Sequence, residues 1–120
     1  MDFKAAAIAD LENYESRRSA AENIARRLWL MENDEHKNKN PEYIMLTERL
    51  YRIEQLKSIT KRGLDSLSDN HRMVLEKFYV NRTDGYIEAL CASLCVEKST
   101  VYRMKNAALE AFIAAIYGKV

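Results

Sequence analysis

A chain of 120 residues with one proline and three glycines has room for one modest core, or a small domain plus an extended element, and too few turn-formers for a β-protein. The formal net charge of +1 excludes a broadly polycationic protein that binds nucleic acid by charge alone. No apolar run approaches membrane-spanning length, and the start Met1-Asp2-Phe3-Lys4 lacks the apolar core of a signal peptide. The expectation is therefore a cytoplasmic protein without membrane contact, its Cys91 and Cys95 reduced. Alanine, leucine, glutamate, lysine and arginine are good helix formers, so the fold class expected is all-α, with about two thirds or more of the residues helical.

Residues Asp2 to Glu32 read as one long amphipathic helix. Ala7, Leu11, Tyr14, Ala21, Ile24, Leu28 and Met31 recur at helical steps, with Glu12, Glu15, Arg17, Arg18, Glu22, Arg26 and Arg27 between them. A helix of roughly thirty residues is about 45 Å long and needs a partner along its length. Asn33 to Asn40 is polar throughout and reads as a loop. Asn40-Pro41-Glu42 then starts a second helix: Asn40 caps free amides, Pro41 suits the first helical position and Glu42 complements the helix dipole. Tyr43, Leu46, Leu50, Ile53, Leu56 and Ile59 line one face of it, so the two helices form a long antiparallel hairpin or part of a coiled coil.

Gly63 weakens the second helix and marks the expected joint, which divides the chain into a hairpin over residues 1–62 and a domain over residues 63–120. Ser68 caps a helix from Asp69 to Tyr79. Asn81 to Gly85 reads as a turn, Tyr86 to Leu94 as a short helix, and Lys98 to Tyr117 as a last helix closed by Gly118. The charge is uneven: from Lys98 to Val120, Lys98, Arg103, Lys105 and Lys119 stand against the single acid Glu110, which makes this end the place for an anion.

Ile87 to Asn106 carries the pattern of a helix-turn-helix. Leu90, Leu94, Val96, Val101 and Met104 fall where two helices cross, Cys91 is the small residue at close approach, and the tight turn lies near Cys95. The outer face of the second helix then presents polar and basic groups. Lys98, Ser99, Thr100, Tyr102, Arg103, Lys105 and Asn106 are the candidate DNA-contacting residues, because Arg reads guanine and Asn reads adenine in the major groove. Structural alternatives stand beside these. Arg103 fits a solvated surface arginine, Tyr102 fits packing back on the hairpin, and Leu90, Leu94, Val101 and Met104 fit any helix-pair core.

LSDNHRMVLEKFYV followed by LCASLCVEKSTVYRMKNAALEAF resembles the helix-turn-helix of sigma-factor region four, closest in style to phage regulators of the ArpU and RinA kind. The resemblance spans Leu67 to Gly118 and is looser over the hairpin. It implies a phage or prophage transcription regulator acting on late genes. Such motifs usually carry alanine where Cys91 stands, glycine where Cys95 stands and serine where Glu97 stands. A cysteine in a left-handed turn costs roughly 1 kcal/mol or more, and a glutamate repels phosphate.

Cys91 and Cys95 share a helix face, but His36 and His71 are the only histidines and no further ligand spacing supports zinc. Small-residue packing is the expected role. No cofactor is expected. There is no Gly-rich phosphate loop and no nucleophile with a base, so an enzyme is not expected either. Double-stranded DNA is the expected partner, with RNA polymerase as a possible co-binder and a homodimer held by the N-terminal helices; Trp29 lies off the main apolar stripe and fits either an interface or an extra core position. Two alternatives remain open: a small terminase-like packaging protein, and a sigma-like adaptor that binds RNA polymerase without DNA.

Overall fold

A computed structural model describes residues 1–118, and Lys119 lies outside the described residues. Among them 81% are helical and none forms a strand, so the fold is all-α, as the composition predicts. The molecule is elongated, 60 × 33 × 20 Å. Among the described residues no helix is long and apolar enough to cross a membrane.

The first expected helix is interrupted. Helix α1 spans Phe3–Glu12 and α2 spans Tyr14–Leu30. Asn13, between them, has φ −92° and ψ −1°, outside the ordinary helical well. The ladder continues across it: Asn13 donates to the Ala9 carbonyl and accepts from the Arg17 amide. Asp2 caps α1 by accepting from the Ala5 amide at 3.0 Å.

Helix α3 spans Pro41–Asp65 and packs antiparallel to α2. Its start is as expected: the Asn40 side chain accepts from the Glu42 amide at 2.9 Å, and Pro41 opens the helix. The intervening loop contains a short 3₁₀ turn at Lys37–Lys39. The Lys37 ammonium, 2.8 Å from the Glu32 carboxylate, is held above its ordinary pKa by that hydrogen bond. Arg27 pairs with Glu42 across the hairpin.

Gly63 is not a joint. Helix α3 runs through it, and Thr60, Gly63 and Leu64 are buried. The expected division at residue 63 fails for a second reason: Ala7 and Leu11 of α1 are fully buried in a core with Leu64, Leu75, Ala108, Leu109 and Phe112. The first helix therefore belongs with the C-terminal helices. Asp10 reinforces this. It pairs with Arg17 at 2.9 Å and accepts from the Tyr117 hydroxyl at 3.5 Å. Burial first, then the Asp10 charge, push the Tyr117 phenol above its ordinary pKa.

Helix α4 spans Asp69–Leu75, capped by the Ser68 hydroxyl. The expected continuation to Tyr79 forms, but as a wider π turn over Glu76–Val80, closed by the Asn81 amide on the Glu76 carbonyl. The extra residue per turn lets three successive apolar side chains serve two cores. Val80 packs on the first core, Phe78 lies in a second, and Tyr79 touches both. Burial pushes the Tyr79 phenol up. Helix α5 spans Tyr86–Leu94 and α6 spans Lys98–Tyr117.

Candidate nucleic-acid interface

Two cores fix α6. Val101 joins Val74, Phe78, Ile87 and Leu90 in the second core, with Leu94, Val96 and Met104 packed around it. Ala108, Leu109 and Phe112 join the first. Val101, Ala108 and Phe112 are fully buried, so one side of α6 is anchored from its second turn to its last.

The turn before α6 is tight. Cys95 has φ 55° and ψ 46°, and among the described residues it is the only non-glycine with positive φ. The amides of Cys95 and Val96 both donate to the Cys91 carbonyl. This ends α5 and redirects the chain within three residues, which leaves Glu97 as the residue before α6. Cys91 is half-buried in the second core and Cys95 is exposed. Among the described residues no three His, Cys, Asp or Glu side chains gather as a metal site.

The seven candidate residues do not all share one surface. Ser99, Tyr102, Arg103 and Asn106 are exposed, at steps of three and four along one face of α6. Lys98 is exposed at the first turn. Thr100 is half-buried and accepts a hydrogen bond from the Arg103 guanidinium at 3.2 Å. That bond steadies the arginine along the helix while leaving most of its donors unused.

Lys105 stands apart. It is half-buried, with its ammonium 5.8 Å above the Phe78 ring and 6.0 Å from that of Tyr102. Both distances are within reach of a cation–π contact. Tyr102 packs edge-on against Phe78, with centroids 5.7 Å apart and planes at 77°. It leans on the second core rather than on the hairpin, and 39% of it remains exposed.

Sequence reasoning did not find Arg82. Its guanidinium lies 4.6 Å from the Tyr86 ring centroid and donates to the Tyr86 hydroxyl at 2.7 Å. Tyr86 itself packs edge-on against Phe78. The NRTDG stretch reads as a turn by composition, and nothing in the pattern assigns its arginine to the edge of the second core. Phe78 thus meets Tyr86 and Tyr102 edge-on, with Arg82 on the Tyr86 ring and Lys105 over the Phe78 ring itself. No family model, curated protein or solved structure matches the chain.

Proposed function

We propose that the chain is a sequence-specific DNA-binding transcription regulator, with α5, the Cys95 turn and α6 acting as a helix-turn-helix and α6 as the helix that enters the major groove. The observation that carries this reading is the exposed line Ser99, Tyr102, Arg103 and Asn106, opposite the buried line Val101, Ala108 and Phe112. A helix anchored on one side and bearing donors and acceptors on the other matches the width and chemistry of that groove. The resemblance to sigma-factor region four and to phage regulators supports the same reading and suggests late genes of a phage or prophage. The net charge of +1 gives one copy few phosphate contacts, so useful affinity requires a dimer through the N-terminal helices or RNA polymerase as a co-binder.

Selection of bound sequences from random duplex DNA tests this. The expected result is an enriched site with inverted symmetry, bound more tightly than random duplex and weakened by salt. Absence of any DNA affinity at low salt removes the reading in favour of an adaptor that contacts RNA polymerase. DNA binding by a ring-shaped oligomer favours a packaging protein.

A further inference from the structure

The hairpin is a single layer. Leu46, Leu50, Ile53 and Leu56 form the side of α3 turned to α2, and they are only half-buried. On the opposite side α3 carries a second line of residues at steps of three and four: Ile44, Glu48, Tyr51, Gln55 and Ile59. Ile44 is 43%, Tyr51 69% and Ile59 45% exposed, and Met45 at its edge is 60% exposed. Around Tyr51 this face is open, bordered only by Thr47, Glu48, Arg52 and Gln55 of the same helix.

We propose that this outer seam of α3 pairs with the same seam of a second copy, antiparallel, about a two-fold axis passing beside Tyr51 and Arg52. The proposal rests on the reading of the chain as a dimeric regulator and names the face that pairs. In a two-fold interface residue i meets j and j meets i, so the seam must complement its own reverse. It does. Ile44 and Met45 of one copy fall opposite Ser58 and Ile59 of the other, so the apolar ends cover each other. Tyr51 meets its own copy at the axis. Glu48 comes within a turn of the partner's Arg52, and the pair occurs twice. Among the described residues neither Glu48 nor Arg52 makes an ion pair within its own chain, so both charges are available.

The outward side of α2 is a poorer candidate. Arg18 there lies 3.9 Å from Glu15 and 3.8 Å from Glu22, so those charges are matched within the helix, and its exposed apolar surface is gathered at one end, at Trp29 (74% exposed) and Leu30 (76%), rather than spread along its length. The α3 seam from Ile44 to Ile59 runs for about 24 Å and alternates apolar anchors with the unpaired Glu48, with the unpaired Arg52 at its edge. That is the pattern by which antiparallel helices choose a partner and a register.

Sedimentation of the full chain without DNA, at tens of micromolar, tests the pairing. The wild type should be a dimer. Glu48→Arg and Arg52→Glu each place like charges across the seam twice, and each should raise the dissociation constant at least about tenfold. Both positions face solvent in the single chain, and circular dichroism should show unchanged helicity. The double swap, Glu48→Arg with Arg52→Glu, should restore dimerisation to within about threefold of wild type. A monomeric wild type, a higher oligomer, a dimer indifferent to both single swaps, or a double swap that fails to restore it would each overturn the proposal. Since DNA is absent, none of these outcomes bears on the DNA-binding reading, which fails separately if a dimer binds no duplex.

Discussion

Gly63 lies flat against Phe112: a Cβ placed on the glycine would stand 2.6 Å from Cε1 of that ring and 2.7 Å from Cγ2 of Ile116. The glycine, in the last turn of α3, does not loosen the chain but lets α3 and α6 approach each other. Phe112 is fully buried and cannot swing aside. Gly63→Ala gains about 1 kcal/mol of helix propensity, whereas overpacking costs about 1–3 kcal/mol, and two contacts below 3 Å put it at the upper end. The expected net effect is a loss of about 1–2 kcal/mol in urea unfolding. An unchanged or raised midpoint would show that α6 can step back and that the close approach is incidental.

The burial of α1 makes a second prediction. Leu11 is fully buried and Leu28, in the hairpin, is only half-buried. Leu11→Ala should cost about 2–5 kcal/mol and Leu28→Ala clearly less. A fragment beginning at residue 64 lacks Ala7 and Leu11 and should show weak, non-cooperative unfolding. If that fragment unfolds as sharply as the whole chain, α1 is an accessory to the core and not a part of it.

Cys95 supplies a third. A side chain in the left-handed region costs roughly 1–2 kcal/mol, and glycine avoids that at a smaller entropic cost in the unfolded chain. Cys95→Gly should therefore raise stability by about 0.5–1 kcal/mol. Its Sγ contact with the Ala92 carbonyl is long, 3.8 Å, and its loss should not reverse the sign. A lowered midpoint on denaturant titration would contradict the strain argument.

Arg103 and Lys105, two residues apart, should separate by phenotype. Arg103 is exposed and held only by Thr100. On the DNA reading, Arg103→Ala weakens binding to the selected site by about 1–3 kcal/mol if the contact is bidentate, and leaves thermal stability nearly unchanged. Lys105 is engaged with Phe78 and Tyr102. Lys105→Ala should cost a few tenths to about 1 kcal/mol of stability and have the smaller effect on DNA. Equal binding losses from the two would place Lys105 on the reading surface as well.

Much of this was legible in the chain because it is local. Asn40-Pro41 and Ser68 cap helices through bonds to amides two or three residues away, and the period of Val101, Ala108 and Phe112 is written in α6 itself. Hence all-α architecture and most helix boundaries follow from spacing alone, whereas spacing does not sort the seven candidates of α6 into the exposed Ser99, Tyr102, Arg103 and Asn106 and the half-buried Thr100 and Lys105. Periodicity reports which face is apolar but not what covers it. Only the tertiary structure decided that the apolar face of α1 joins α6 while α2 pairs with α3, that Gly63 accommodates Phe112, and that Lys105 turns to an aromatic ring whose residue lies in another helix segment. Each of these depends on contacts between residues far apart in sequence, where burial and close packing, rather than local hydrogen bonding, determine the arrangement.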